Sequence, residues 1–198
     1  MRRVIKIGGS LLLRDSLAET IQGWAVAQPP AETIAIVGGG ELIDAVRRLD
    51  AAHHCDQAWV HWQCIGLLRT TFEWLGSQLK DWQLHSTIEH FENLRRPSEM
   101  SSFTPASGFH LVAVESFYHV GVDSPLPLDW TTTTDAISAW LAVLLDADEL
   151  VLLKSCDVDE SVSLDQLATQ GVVDRAFPIL AGDLRSVRFV NFAGEIDR

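Results

Sequence analysis

The sequence predicts an α/β fold, a three-layer sandwich in which a mostly parallel central sheet lies between helices. Two observations favour this fold. Short apolar runs rich in β-branched residues alternate with helical patterns, and the first two of these runs end in glycines. Strands and helices that alternate at this spacing are joined by right-handed crossovers, so the strands run parallel. We expect strands at residues 3–9, 33–37, 110–114, 150–154 and 186–192.

Helices are predicted between these strands from the helical spacing of apolar residues. The first helix begins after Asp15 or Ser16 and ends before Pro29, since the residue before a proline disfavours helical geometry. Residues 56–92 have a helical pattern with a wide aromatic and aliphatic stripe, which indicates core packing or, alternatively, a subunit interface or the wall of a substrate pocket. Further helices are expected at 41–53, at 135–146 after a cap at Thr134, and briefly from 163 to 171, with a loop at 98–107.

Composition indicates a globular protein and excludes several classes of partner. A chain of 198 residues with 47% hydrophobic residues is long enough for one domain with a substantial core. The formal net charge of −12 argues against binding to nucleic acid or to an anionic membrane surface, because phosphate polymers would be repelled. A small phosphorylated ligand is still possible, since a single pocket can be locally positive.

The cysteines and the apolar runs give expectations about location. The three cysteines have no C-x-x-C spacing, so neither a disulfide framework nor a zinc site is indicated. Arg2-Arg3 leads directly into a strand rather than into the apolar segment of a signal peptide. No apolar run reaches the length of about 18 residues that a membrane span needs. We therefore expect a cytoplasmic protein with no membrane partner.

The first strand carries a candidate phosphate-binding motif. Lys6 lies within the strand, and Gly8, Gly9 and Ser10 follow it. Glycines allow the backbone to turn sharply and to bring its N–H groups close to an anion, while a lysine supplies a compact positive charge. The alternative interpretation is an ordinary strand followed by a glycine turn.

Two later segments resemble this motif in chemistry. Gly38, Gly39 and Gly40 end the second strand and precede a helix, an arrangement suited to an anionic substrate. Lys154 ends the strand at 150–154, and Asp157 and Asp159 follow it. The chain contains three lysines, and two of them, Lys6 and Lys154, fall in these motifs.

Asp135 is the candidate for holding the two lysines together. If Lys6 and Lys154 meet at the carboxyl edge of the sheet, their ammonium groups repel, and a carboxylate between them removes that cost. Two positive charges at this edge suit phosphoryl transfer, whose transition state spreads negative charge over the equatorial oxygens. The alternative is that Asp135 complements the dipole of its own helix.

In chain order, these motifs resemble the amino acid kinase superfamily, which includes acetylglutamate, aspartate, carbamate and uridylate kinases. The family has K-x-G-G-S after its first strand, G-G-G after its second, a T-x-D helix start and a lysine strand running into D-V-D. The resemblance implies one kinase-like domain over residues 1–198, with an acceptor-side lobe at about 1–130 and a short nucleotide-side lobe at about 131–198. It also implies ATP, with Mg²⁺ carried by the nucleotide phosphates and no metal ligand in the protein.

The resemblance also assigns roles to individual residues. Asp135 holds the catalytic lysines and is not a base. The loop at 98–107 is a possible counterpart of the hairpin that closes over the acceptor, and Glu160 stands where family members often have glycine. The implied catalytic residues are Lys6, Asp135 and Lys154; the ATP-binding residues are Lys6, Gly8, Gly9, Ser10, Lys154, Asp157 and Asp159; the acceptor-binding residues are Gly38, Gly39, Gly40 and Thr134.

Several choices of acceptor and class follow from the resemblance. The short chain is similar to members that phosphorylate an aminomethylfuran phosphate in methanofuran-type cofactor synthesis. The alternatives are a kinase for an amino acid carboxylate or a nucleoside monophosphate, and a non-catalytic relative that binds a nucleotide or oxyanion. We expect a small acidic substrate and a homo-oligomer. His53, His54, Cys55 and His61 could also be interpreted as a metal cluster. This interpretation is disfavoured, because His53 and His54 are adjacent and diverge on a helix and neither has a second ligand pair four residues on.

Overall fold

The fold is built on a six-stranded sheet in which all strands are parallel. The computed structural model describes residues 1–96, 108–159 and 161–196, so the expected loop at 98–107 and the position of Glu160 lie outside the described residues. The sheet order is β3-β4-β2-β1-β5-β6. The strands are β1 (Arg2–Ile7), β2 (Glu32–Val37), β3 (Gln83–His85), β4 (Phe109–Val112), β5 (Glu149–Lys154) and β6 (Val187–Asn191).

Helices connect the strands and cover the sheet. Short 3₁₀ turns follow β1 and β4, and a longer one, Phe177–Asp183, precedes β6. Within the described residues, no helix is both long and apolar enough to cross a membrane. The helices are α1 (Leu17–Ala27), α2 (Glu41–His53), α3 (Gln57–Gln78), α4 (Ile88–Arg95), α5 (Thr134–Leu144), α6 (Leu164–Thr169) and α7 (Ala193–Ile196).

The prediction of continuous helix over residues 56–92 is wrong. Helix α3 ends at Gln78, and β3 then adds an edge strand beside β4 before α4 begins. Leu79 and Trp82 are buried in the turn between α3 and β3. Both side chains are buried although they lie outside a helix. Their spacing continues the apolar pattern of α3, and the pattern therefore predicts a helix that is too long.

Each face of the sheet packs against its own hydrophobic core. Val4 of β1 belongs to a core formed with α4, α5 and the first half of α3. Ile5 and Ile7 belong to the opposite core, formed with α1 and the second half of α3. Residues that alternate along a strand point to opposite faces, and both faces of these strands are buried. The structure is therefore a three-layer sandwich, as the sequence predicts, with a sheet that is entirely parallel.

The carboxyl ends of β1, β2 and β5 lie side by side in the middle of the sheet. Strand β1 pairs with β2 on one side and with β5 on the other. The chain passes from β1 to β2 in one direction across the sheet, and it later crosses from β4 to β5 in the opposite direction. Open α/β sheets bind ligands where the strand order reverses in this way. The glycine turns after β1 and β2 and Lys154 at the end of β5 all lie at this edge.

Candidate active site

The glycine turns after β1 and β2 pack directly against each other. A Cβ atom on Gly9 would overlap the backbone of Gly40, and one on Gly38 would lie 2.8 Å from the Gly9 nitrogen. Gly40 has a φ of +53° and is the N-cap residue of α2. These contacts require glycine because two stretches of backbone meet with no room for a side chain. The close approach of the two turns therefore explains several of the glycines without a ligand.

Some N–H groups of these turns are already used within the sheet. The N–H of Gly8 donates to the Leu153 carbonyl at 3.0 Å, and that of Gly38 donates to the Ile7 carbonyl at 2.9 Å. The N–H groups of Gly9, Gly39 and Gly40 donate to no backbone carbonyl in the described part of the chain. Of the predicted glycines, these three thus have N–H groups that the backbone of the sheet does not use.

Lys6, Asp135 and Lys154 form one buried ionic cluster. The Lys6 Nζ lies 2.8 Å from Asp135 Oδ1, and the Lys154 Nζ lies 2.6 Å from Asp135 Oδ2. Lys154 also donates to the Val172 carbonyl at 2.7 Å. Lys6 and Asp135 are 6% and 5% exposed, respectively. One carboxylate therefore holds two ammonium groups in a site largely removed from water, where charges interact strongly.

The cluster determines the ionisation of its members. Burial raises the pKa of Asp135, but the charges of Lys6 and Lys154 outweigh it and hold that pKa below its ordinary value. Burial lowers the pKa of Lys154, although Asp135 opposes this change. A carboxylate with a lowered pKa is a poor proton acceptor near neutral pH, since efficient bases have a pKa close to the working pH.

The first turn of α5 is capped by a residue distant in sequence. The sequence predicts Thr134 as the cap, but the N-cap is Thr133, and its side chain does not cap the helix. Asp174 Oδ2 instead accepts hydrogen bonds from Thr133 N, Thr133 Oγ1 and Ala136 N, at 2.7, 2.8 and 3.0 Å. The cap prediction is therefore wrong by one residue. Asp174 fixes the turn that presents Asp135.

A cavity of about 230 Å³ lies next to the first turn of α5, the helix that carries Asp135, and we call it the glycine-side cavity. Gly39, Gly40 and Thr134 line its polar end, next to Thr132 and Thr133. The other walls are apolar or aromatic, with a few polar side chains. They include Ile43, Asp44, Arg47, Val60, His61, Ile65, Leu68, Asp129 and Trp130.

The aromatic wall of the glycine-side cavity is fixed by contacts with α2. The Trp130 Nε1 donates to Asp50 at 2.6 Å, and the Arg47 guanidinium stacks 4.7 Å from the centre of the Trp130 ring. The Thr132 hydroxyl also lines this cavity, and it is buried with no hydrogen-bond partner among the described residues. The lining of the cavity therefore combines threonine hydroxyls and glycine backbone with an aromatic residue.

A second cavity, of about 540 Å³, reaches part of the cluster, and we call it the lysine-side cavity. It is lined by Asp135, Lys154 and the segment 168–175, which includes Asp174. Trp130 and Thr133 line both cavities, whereas Lys6, Asp135 and Lys154 do not line the glycine-side cavity. The two cavities therefore adjoin the same residues at the start of α5, the helix that carries Asp135.

The structure does not bring all the predicted residues to the cluster. Asp157 accepts a hydrogen bond from Asn191 at 2.9 Å, and Asp159 accepts from the backbone and hydroxyl of Ser161. Neither lines either of the two cavities. Ser10 lines the glycine-side cavity, and its hydroxyl contacts that of Ser155 at 2.9 Å. Asp157 and Asp159 remain predictions as nucleotide-binding residues.

The histidines considered as metal ligands have other surroundings. His61 is buried, and its Nε2 lies 3.0 Å from the Tyr118 hydroxyl. His53 ends α2, and His54 follows it in a left-handed conformation. In residues 1–96, 108–159 and 161–196, no group of three or more His, Cys, Asp or Glu side chains is placed to hold a metal ion.

Several site residues carry no signal in the sequence. Asp174, Arg47 and Asp129 lie outside the motifs that the sequence shows, and they become part of the site through long-range contacts. Trp130 immediately precedes the Thr131–Thr134 run, and this proximity is the one indication that the sequence offers for it.

Three solved structures similar to this chain are uridylate (UMP) kinases. The enzyme from Archaeoglobus fulgidus matches with a TM-score of 0.58 and 18% identity, over 94% of this chain and 89% of that one. The UMP kinase from Ureaplasma parvum matches with a TM-score of 0.64 and 15% identity, over 96% and 89% of the two chains. The UMP kinase from Bacillus anthracis matches with a TM-score of 0.61 and 14% identity, over 96% and 87%.

Comparisons of the sequence alone give no match. Neither a protein-family model nor a curated protein matches this chain. The similarity therefore lies in the arrangement of strands and helices over nearly the whole length of both proteins. The chain has the fold of the uridylate kinases, as its resemblance to the amino acid kinase superfamily predicts.

Proposed function

We propose that this protein is an ATP-dependent kinase of the amino acid kinase family that transfers the γ-phosphoryl group to a small acidic acceptor. The observation that carries this proposal is the buried Lys6–Asp135–Lys154 cluster, with one cavity lined by Asp135 and Lys154 and a second lined by Thr134, the residue next to Asp135. A transfer reaction needs a donor and an acceptor on opposite sides of the moving group, with positive charge between them. The uridylate kinase fold supports the same function.

Each member of the cluster has a defined role in this proposal. Lys6 and Lys154 stabilise the charge that develops on the transferring phosphoryl group. Asp135 holds both ammonium groups in place through contacts of 2.8 and 2.6 Å and accepts no proton from the substrate. No general base is needed, because the acceptor oxygen of a carboxylate or phosphate is already ionised. Catalysis therefore rests on position and charge.

We place the donor nucleotide in the lysine-side cavity. The proposed nucleotide-side lobe covers about residues 131–198, and the proposed acceptor-side lobe covers about residues 1–130. Lys154 lines this cavity, and its ammonium group suits a polyphosphate. Mg²⁺ is carried by the nucleotide phosphates, as is usual for this ion, and it supplies further positive charge when the nucleotide is bound. Of the residues proposed for ATP, Lys154 lines this cavity and Gly9 and Ser10 line the glycine-side cavity. The others, Lys6, Gly8, Asp157 and Asp159, line neither cavity, and the N–H of Gly8 is already bonded to Leu153.

The acceptor side is the glycine-side cavity, and a phosphate monoester with a flat ring is the proposed acceptor class. Gly38, Gly39, Gly40 and Thr134 surround its polar end, with Gly39 and Gly40 as backbone donors. Trp130 supplies an aromatic wall for a ring. An aminomethylfuran phosphate fits this description, and so does a nucleoside monophosphate, the acceptor class indicated by the names of the uridylate kinases.

The experiment that tests the function is a transfer assay with γ-labelled ATP, with and without Mg²⁺. The purified protein is incubated with an aminomethylfuran phosphate, a pyrimidine or purine nucleoside monophosphate, or an amino acid carboxylate. We expect label to appear in a phosphate monoester acceptor for the wild type and to be lost in Lys154→Ala. Nucleotide binding without transfer to any of these acceptors would support the non-catalytic alternative.

The proposed homo-oligomer rests on exposed aromatic residues of α3. Trp59 and Trp74 are 56% and 44% exposed, and large exposed apolar residues are typical of interaction surfaces. Analytical ultracentrifugation measures the assembly directly. A monomer at all concentrations would contradict this part of the proposal.

A further inference from the structure

Asp174 is a carboxylate of the reaction centre that the proposed transfer step does not use. It lies between α6 and the 3₁₀ turn Phe177–Asp183, and its side chain lines the lysine-side cavity together with Asp135 and Lys154. The neighbouring Val172 carbonyl accepts the hydrogen bond of Lys154. The N–H of Ala176 donates to the Thr131 carbonyl at 2.9 Å. This segment is thus fixed both to the start of α5 and to the end of β5.

The two oxygens of Asp174 have different surroundings. Oδ2 accepts all three hydrogen bonds from the first turn of α5. Oδ1 is buried and has no hydrogen-bond partner within the described part of the chain. A buried polar atom without a partner is costly, and each such atom in a native protein needs an explanation, such as strain, a catalytic role or a bound water or ion. Oδ1 is the atom that can accept a proton without loss of the cap made by Oδ2.

The charged groups around Asp174 come from three other elements. Asp135 of α5 adds a second negative charge, Lys154 of β5 is positive, and Lys6 of β1 pairs with Asp135. Arg175, its neighbour in sequence, lines the same cavity. Burial, with a further contribution from Asp135, raises the pKa of Asp174 to about 6, against the effect of its three hydrogen bonds. Two lysines and two aspartates therefore nearly balance when Asp174 is ionised.

We propose that Asp174 is a proton-linked positioning residue: it holds the turn that presents Asp135, and it takes up one proton when the donor polyphosphate enters the lysine-side cavity. The proton comes from solvent and adds to Oδ1, so no other bond forms or breaks. The physical reason is repulsion, because an anionic polyphosphate disfavours a nearby carboxylate. Protonation leaves the two lysines with one opposing carboxylate, so the site gains net positive charge as the anion binds. This inference rests on the proposed function, since it places the nucleotide on the lysine side.

The test compares the wild type with Asp174→Asn, with Asp174→Ala and with the control Asp165→Asn. Asn keeps an acceptor for the α5 turn but carries no charge, whereas Ala removes the cap as well. Asp165 is an exposed acid of α6 that does not line the cavity. A non-hydrolysable ATP analogue is titrated with Mg²⁺ by calorimetry between pH 5.5 and 8.5. Two buffers of different ionisation enthalpy report proton uptake.

The expected result is a change in proton linkage, which a purely structural residue would not produce. From pH 6 to pH 8, the wild type and Asp165→Asn should lose up to about 50-fold more affinity than Asp174→Asn, because a carboxyl with a pKa of about 6 takes up one proton on binding. Titration of the nucleotide itself cancels in this comparison. At pH 7.5 the wild type should take up a proton on binding, and Asp174→Asn should not. Asp174→Ala should also lower kcat, and Asn should restore most of that loss.

Two binding results would overturn the proposal. One is an equal pH dependence of affinity in the wild type and Asp174→Asn, with equal proton uptake. The other is a loss of affinity in Asp174→Asn that occurs with Mg²⁺ and not without it, which would make Asp174 a metal ligand.

A measurement without nucleotide separates this proposal from the proposed function. Because the pKa of Asp174 in the folded protein lies above the ordinary value of 3.8, ionisation of this carboxyl destabilises the fold. Its stabilising contribution is complete below about pH 4 and is lost as the pH rises through 6. The Tm of Asp174→Asn should therefore rise relative to the wild type between pH 4.5 and 7.5. A constant difference in Tm contradicts the proposal for Asp174 alone, whereas the absence of nucleotide binding contradicts the proposed function as well.

Discussion

Replacement of Asp135 by asparagine should destabilise the protein strongly, whatever its substrate is. The carboxylate lies 2.8 Å from one ammonium group and 2.6 Å from another. At an effective dielectric constant of about 20, each attraction is worth about 6 kcal/mol. Desolvation of the ions offsets most of this attraction, and removal of one member of a buried pair typically costs about 3–5 kcal/mol. We expect a loss of that size in Asp135→Asn, because two buried ammonium groups then face each other.

The assay for this prediction is urea unfolding, followed by a double-mutant cycle with Lys154→Met. Methionine keeps the unbranched chain and removes one of the two repelling charges. The double variant should therefore be more stable than the sum of the single changes predicts, by about 1–3 kcal/mol. A matched control is Asp146→Asn, because Asp146 pairs with Arg185 at 2.6 Å on the exposed surface. Such a pair is worth at most about 1 kcal/mol.

The pH dependence gives a second readout for Asp135→Asn. Burial already lowers the pKa of Lys154 in the wild type, and Asp135 opposes that change. Without the carboxylate, the pKa of Lys154 falls further below its unfolded value. A lysine with a lowered pKa in the folded state destabilises the fold while it is charged, so the stability of the variant should recover as the pH rises from 7 to 9.5. Equal, small losses in Asp135→Asn and Asp146→Asn would refute the buried cluster.

Three further predictions concern activity. Lys154→Ala should lower kcat far more than it raises KM for ATP, since an interaction of the transition state is lost; a kcat within about threefold of wild type, under 1 kcal/mol, would contradict this role. The pH profile of kcat should show no ionisation of Asp135 between about pH 5.5 and 8, because its pKa lies below its ordinary value; a limb in that range that Asp135→Asn removes would make it a base. Gly39→Val should abolish acceptor binding and spare nucleotide binding, because its side chain would overlap Ile43 in the wall of the glycine-side cavity. Titration with each ligand tests this, with Gly23→Ala as control because a Cβ there meets no atom within 4 Å; loss of nucleotide binding as well would place the glycines on the donor side.

The parts of the fold that the sequence predicts are those with strong local signals. Strands β1, β2 and β5 are apolar runs buried on both faces, so their composition identifies them without knowledge of their neighbours. Lys6 interrupts one such run and Lys154 ends another, so a charged residue in an apolar strand marks each as a candidate functional residue. The convergence of the lysines on Asp135 also follows from sequence, because parallel strands bring their carboxyl ends to one edge.

The parts that the sequence misses depend on contacts between distant residues. Strand β3 has three residues and exists because it pairs with β4. The capping role expected of Thr134 belongs to Asp174, which is 40 residues away from it in sequence. The glycine turns suggest anion binding. In the structure, several of these positions require glycine because the backbone of Gly9 packs against that of Gly38–Gly40. No periodicity or spacing signals such contacts before the chain is folded.

The most direct test of the central claim is ³¹P NMR of the reaction between ATP and a phosphate monoester acceptor. The claim is that Lys6, Asp135 and Lys154 move the γ-phosphoryl group between the two cavities. We expect the γ signal of ATP to decay while the coupled signals of a new diphosphate grow, and we expect Lys6→Met to stop both changes. Release of inorganic phosphate at the same rate with and without acceptor, or transfer by Lys6→Met as fast as by the wild type, would contradict this role of the three residues.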